Sequence, residues 1–249
     1  MNKEMINEIV SWIKNYIESA HANGVVLGMS GGKDSLVVAK LCSLALGNDK
    51  VYGVIMPNGL MSDKNDAVKT CELLKIPYTT INIENSYNDI ISTVKHSLNQ
   101  INVDVNEVTT INTAPRIRMT TLYAIAGSLN YLVANTSNLS EISVGYSTKW
   151  GDGVGDFAPI ANLTKTEVCE LGLMLDLPEY LVNKMPSDGL SGKSDEDKLG
   201  FSYNELDTFI RTGVKGDKFD IIERKHRVNA HKRNSIPKFE SKKPNYFDK

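Results

Sequence analysis

Cysteine is scarce in this sequence: three in 249 residues, Cys42, Cys71 and Cys169, far apart and without a CxxC pair. Such spacing disfavours a zinc site or a disulfide framework and suits a reducing compartment, so a cytoplasmic location is expected. Cys42 and Cys71 lie in apolar helical patterns and Cys169 in KTEVCELGLML, so all three read as packing residues. Net charge is also scarce, −2 from 28 basic and 30 acidic side chains, and nothing in that balance calls for a nucleic acid partner. Long apolar runs are missing: none approaches the roughly 18 residues of a membrane span. The opening MNKEMINEIV carries acids where a signal peptide would be apolar. No membrane partner and no export are expected. There is no internal repeat or low-complexity segment, and 41% hydrophobic residues can fill a substantial core. One domain over 1–249 is expected, with 234–249 as a C-terminal tail.

What is present is an alternation. Ile6, Ile9, Val10, Ile13, Tyr16, Ile17 and Ala20 recur at helical spacing in residues 2–20. Val25–Leu27, Val51–Met56, Tyr78–Ile83 and Tyr131–Ala134 are short β-rich runs, separated by segments that read as helix over 34–46, 62–75, 86–98 and 114–128. The alternation predicts an α/β fold, a parallel sheet flanked by helices, with ligands bound outside the carboxyl ends of the strands. Beyond Ser143 the pattern changes. YSTKWGDGVGDFA is too irregular for either period and reads as a loop, as does Pro186 to Gly200. Ser202, followed three residues later by Glu205, has the spacing of a helix-capping pair, and a last helix is expected near 216–229.

The first strand runs into GVVLGMSGGKDS, residues 24–35. The P-loop pattern fails there, because Leu27 stands where the first glycine belongs and Asp34 where a Ser or Thr should follow the lysine. The dinucleotide pattern GxGxxG fails as well, with Ser30 at its second glycine. A plain strand-to-helix turn would also use glycine for its dihedral angles. Two hydroxyls, glycine N–H groups and a helix N-terminus can nevertheless surround a pyrophosphate, and Asp34 can bind magnesium. Ser30-Gly31-Gly32-Lys33-Asp34-Ser35 resembles the SGGxDS loop of the ATP pyrophosphatases, which cleave ATP between its α and β phosphates.

A second constellation follows the fourth strand: Thr136, Ser137, Asn138, Ser140 and Glu141, then Thr148-Lys149-Trp150-Gly151-Asp152-Gly153, Asp156 and Lys165. With SGGKDS, this series resembles the ammonia-dependent NAD synthetases over nearly the whole chain, from the first amphipathic helix to His231-Lys232-Arg233. The resemblance implies the adenine nucleotide alpha hydrolase-like, Rossmann-like layer architecture. It also implies a two-step reaction: the carboxylate of nicotinic acid adenine dinucleotide (deamido-NAD) attacks the α-phosphorus of ATP, and ammonia then displaces AMP from the adenylate. By position it implies that Gly28, Met29, Ser30, Gly31, Gly32, Lys33, Asp34, Ser35, Thr136, Lys165 and Ser187 hold ATP. Arg116, Lys149, Asp156, His231 and Lys232 would contact deamido-NAD, Asp34 and Glu141 would bind magnesium, and Asp34, Lys165 and Asp156 would serve catalysis. Lys33 stands where the family more often has Gln, adding positive charge beside the pyrophosphate, and Ser187 stands where it usually has Thr.

The resemblance further implies a homodimer with the dinucleotide across the interface, and ammonia as nitrogen source, since no length is left for a glutaminase domain. The stretch 186–200, with three glycines, alternating charges and little to bury, is expected to be a mobile lid. A basic end, with Arg224, Lys225, Arg227, Lys232, Arg233, Lys238, Lys242 and Lys243, admits a tRNA-modifying enzyme of the same loop superfamily as an alternative. Scattered cysteines and a net negative charge weigh against it. A non-catalytic nucleotide-binding module is the other alternative, and the carboxylates Asp34 and Glu141 weigh against that.

Overall fold

The computed structural model describes residues 2–59, 64–183 and 194–239. Helix α1 (Lys3–Ser19) is capped by Asn2, whose side chain accepts the Met5 N–H at 3.0 Å. Then come β1 (Gly24–Gly28), α2 (Lys33–Leu46), β2 (Val51–Ile55), α3 (Lys64–Leu74), β3 (Tyr78–Thr80), α4 (Glu84–Asn99), α5 (Glu107–Leu129) and β4 (Tyr131–Val133). The elements that follow among the described residues are helices: α6 (Leu139–Val144), α7 (Lys165–Met174), α8 (Glu179–Val182), α9 (Asp195–Leu199), α10 (Tyr203–Thr212), α11 (Phe219–Val228) and α12 (Ala230–Arg233).

The four strands form one sheet in the order β3-β2-β1-β4, all pairs parallel, with Val25 opposite Val51 on one side and Leu132 on the other. Central β1 is apolar throughout because helices cover both faces. Its alternation divides the core. Val25 and Leu27 join Ile13, Ile17, Leu36 and Leu171 on one face, and Val26 joins Met119, Leu122 and Val133 on the other. A third cluster of Val144, Leu199, Phe201, Leu206 and Ile222 holds the C-terminal helices.

Several boundaries move. α5 starts at Glu107 rather than at 114, because Asn106 accepts the Thr109 N–H at 2.8 Å and caps it there, leaving Pro115 inside the helix. β3 stops at Thr80, although the Ile81 and Ile83 N–H groups still bond to Ile55 and Pro57 carbonyls at 2.8 and 2.9 Å. Ser202 does cap α10, but the Glu205 carboxylate accepts the Lys218 N–H at 2.6 Å instead of returning to the cap. Of the stretch 186–200, residues 186–193 lie outside the described residues. Its remainder is helix rather than irregular: Ser194 and Asp197 form a capping box for α9 and Leu199 is buried.

Candidate active site

Strand order reverses between β1 and β4, and both predicted constellations leave the sheet there, at its carboxyl end. After Gly28 the Met29 N–H still bonds to the Val54 carbonyl at 2.9 Å, so the turn departs from a fixed point. Gly31 has φ +79°, a conformation that favours glycine, and Gly32 stands at the N-cap of α2. The Ser30 hydroxyl accepts the Gly32 N–H at 3.2 Å and lies 3.2 Å from Ser35 Oγ, which donates to the Gly32 carbonyl at 3.0 Å. Asp34 follows in the first turn of α2, at the positive end of the helix.

From the β4 side, Asn138 accepts the Glu141 N–H at 3.0 Å, and its own N–H reaches Glu141 Oε2 at 3.4 Å, a capping box that starts α6. The Asn138 amide also donates to Asp34 Oδ1 at 3.3 Å, bringing the two constellations together. Lys165, the first residue of α7, closes the cluster. Its ammonium lies 2.6 Å from Asp34 Oδ2 and 2.9 Å from Glu141 Oε1. Burial works against that charge, but the two carboxylates outweigh it and hold Lys165 protonated well above the usual lysine range. Burial and the Asp34 charge push the Glu141 carboxyl up to about 7, against the pull of Lys165.

A second network sets the helix ends. The buried Asp207 carboxylate of α10 accepts the Ser140 hydroxyl, the Thr166 N–H at 2.9 Å and the Thr166 hydroxyl at 2.7 Å. Ser140 Oγ in turn accepts the Lys165 N–H at 2.9 Å. One carboxylate thus binds the residue beside Glu141 and the residue beside Lys165. The Tyr203 ring stands 5.3 Å from the Lys165 ammonium, and its buried hydroxyl has no hydrogen-bond partner among the described residues. No motif marks Asp207 or Tyr203 in the sequence. Their only signal is the apolar spacing of α10, which says that one face is buried and not what it holds.

Other expected site residues fall elsewhere. Thr136 lies on the loop after β4, half-buried. The Lys33 side chain is buried and donates to Cys169 Sγ at 3.4 Å, between α2 and α7, so its charge is not turned to the mouth of the glycine loop. Cys169, only half-buried, is thereby a polar contact as well as a packing residue. Asp156 uses one carboxylate oxygen on the Val133 N–H at 2.7 Å and the other on the Tyr123 hydroxyl at 3.1 Å, clasping the loop to β4 and α5. Burial, then the Asp156 charge, push Tyr123 up to about 12.

Arg116 and Lys149 are neighbours, the guanidinium Nε donating to the Lys149 carbonyl at 3.3 Å. Lys232 donates to the Gly145 and Ser147 carbonyls at 2.8 and 2.7 Å. Lys149 and Lys232 line one cavity of about 230 Å³ with Trp150, Ser147 and Arg233, while His231 is exposed beside it. Ser187 lies outside the described residues. Among the described residues no group of three or more His, Cys, Asp or Glu side chains could hold a metal. Asp34 and Glu141 are a pair of oxygen donors that already share a cation, the Lys165 ammonium. Two carboxylates completed by phosphate oxygens and water suit magnesium.

Comparison with known proteins adds the family. A family model described as NAD synthase matches residues 5–245. A curated NH(3)-dependent NAD(+) synthetase of Carboxydothermus hydrogenoformans is 39% identical over 234 residues, 93% of this chain and 95% of that one. Among solved structures, NMN synthetase from Francisella tularensis superposes with TM-score 0.88 at 34% identity, covering 96% of this chain and 98% of that one. The NH3-dependent NAD synthetase of Campylobacter jejuni gives 0.78 at 29% identity, covering 96% and 100%.

Proposed function

The chain belongs to the NAD synthase family, and from that premise we propose how its residues divide the work of a ligase that uses ATP and ammonia to form the carboxamide of NAD. The observation that carries the reading is the meeting of Asp34, Glu141 and Lys165 beside the glycine turn, where β1 and β4 end. A carboxylate is a poor acyl electrophile. Its oxygen attacks the α-phosphorus of ATP, the bond to the β-phosphate breaks, and pyrophosphate leaves. Ammonia then forms the new C–N bond, its nitrogen gives up a proton to solvent, and AMP departs with the acyl C–O electrons. Each step concentrates negative charge, on pyrophosphate first and AMP second, where a lysine and a helix N-terminus can meet it.

In this reading Gly28 to Ser35 and Thr136 hold the nucleotide, with the Ser30 and Ser35 hydroxyls and the Gly31 to Lys33 N–H groups toward the pyrophosphate. Lys165 contacts the phosphates. Asp34 and Glu141 would hold magnesium, which neutralises phosphate charge when bound. The cavity between Lys149 and Lys232, with Arg116 behind Lys149, suits an acceptor carrying phosphates and a carboxylate. Asp156, with one oxygen on Val133 of β4 and the other on Tyr123 of α5, positions this wall. The homodimer belongs to the same proposal. Val108 and Ile111, exposed apolar side chains three residues apart at the start of α5, would lie in the surface that a second copy covers.

The test supplies ATP, magnesium, ammonium and deamido-NAD. NAD by mass, with AMP and pyrophosphate in equal amounts, is expected, and ADP as the stoichiometric product would overturn the reading. The close superposition on an NMN synthetase favours one second reading, an acceptor of half the length. Parallel assays with nicotinic acid mononucleotide separate the two by their ratio of kcat/KM.

A further inference from the structure

All four oxygens of the carboxylate pair are engaged. Asp34 Oδ2 and Glu141 Oε1 take the Lys165 ammonium at 2.6 and 2.9 Å, and Asp34 Oδ1 and Glu141 Oε2 take the Asn138 side-chain and backbone N–H groups at 3.3 and 3.4 Å. The cluster is largely shielded, with 7% of the Lys165 side chain and 17% and 16% of the two acids exposed. A divalent ion binding the same two oxygens would stand within a few ångströms of the ammonium, and poor screening makes that repulsion large. Two carboxylates and one ammonium leave at most one net negative charge. The site is filled by a part of the chain.

The place of Lys165 also allows it to leave. Its backbone is fixed, the N–H on Ser140 Oγ at 2.9 Å and the next residue on Asp207, but the four-carbon stem can turn about that anchor. The Tyr203 ring 5.3 Å away offers a second surface on which an ammonium can rest. Phosphates in the adjoining glycine turn would compete for it directly.

We propose that Lys165 is a resident counter-ion that excludes divalent cations from the nucleotide-free site, so that the metal arrives only with nucleotide, whose phosphates draw the ammonium off the carboxylates. The inference rests on the assignment of Asp34 and Glu141 as metal ligands. Lysine then has two successive partners, the acids in the free protein and the phosphates in the complex. Because linkage is reciprocal, metal strengthens nucleotide binding by the factor by which nucleotide strengthens metal binding.

Divalent manganese tests this without turnover. The unmodified protein is expected to bind it weakly by electron paramagnetic resonance titration, and Lys165→Met to bind it about tenfold more tightly or better. The double variant Asp34→Ala, Lys165→Met should lose that gain. Equal affinity in Lys165→Met and the unmodified protein overturns the counter-ion role. If the double variant keeps the gain, the cation sits elsewhere, and the ligand assignment falls with the proposal. Thermal melting of the unmodified chain needs no variant to fold. Manganese alone should leave Tm in place, yet raise it further once a non-cleavable α,β-methylene analogue of ATP is bound. A clear rise with manganese alone, lost in Asp34→Ala, would overturn the exclusion and leave the ligand assignment standing.

Discussion

Asp34 stands where the nucleotide turn, Asn138 and Lys165 meet, and it can be altered without touching the core. Asp34→Ala is expected to cut formation of AMP and pyrophosphate by about a hundredfold or more while the far-ultraviolet circular dichroism is unchanged. The cysteines should behave in the opposite sense. Cys42 and Cys71 are fully buried, and burial pushes their thiols up to about 12 and about 11, with Glu72 adding to the second. They are inert hydrophobes. Replacing all three cysteines with Ala should leave ammonia-dependent turnover in place, whereas Cys42→Ser should cost about 1–3 kcal/mol in urea denaturation for a hydroxyl with nowhere to bond. At this scale the sequence was readable for placement: Ser30 to Ser35 makes the turn from β1 into α2, and Thr136 to Glu141 follows β4. It was silent on direction. Nothing in SGGKDS says that Lys33 turns to Cys169, because that depends on what α7 places behind the turn.

Element α7 carries Lys165 at its first residue, so the security of its N-terminus sets the placement of the ammonium. Thr164 accepts the Glu167 N–H at 3.3 Å, the Glu167 carboxylate accepts the Thr164 N–H at 2.8 Å, and Arg211 of α10 reaches the same carboxylate at 2.7 Å through Nε. Thr164→Ala should cost about 1 kcal/mol by thermal melting. Partial burial would raise the Glu167 carboxyl, but hydrogen bonds from Arg211 and the Thr164 amide hold it below the ordinary range. A depressed carboxyl contributes stability above its unfolded pKa and loses it as pH falls through the folded one. Glu167→Gln should therefore melt lower than the unmodified chain at pH 7 and converge with it in acid. A gap that persists at acid pH would assign the effect to packing. Strands and helices up to β4 were legible because alternation and helical spacing survive in burial patterns. The start of α5 was not, since Pro115 reads as a first-turn residue and hides the Asn106 cap nine positions before it.

For the whole molecule, the parallel sheet was legible from the order of segments, while the meeting of its two constellations was implied only by the resemblance, because the strand order alone sets β1 beside β4. The proposed dimer makes activity depend on concentration. Ile111→Glu on the exposed face of α5 should sediment as a monomer and lose turnover, with circular dichroism intact, and full activity in that monomer would reject a site completed by a second chain. The strand order has another consequence, one of time. β1 acquires its β2 neighbour soon after it is made, but β4 is made roughly a hundred residues later, a non-local pairing that costs loop entropy before it gives anything back. Until then the apolar Gly24–Gly28 strand is an edge, open to pairing with another nascent chain. A chain interrupted before β4 therefore holds a formed glycine turn on an uncovered edge, a species prone to aggregate during synthesis, and completion of the crevice between β1 and β4 is also what seals it.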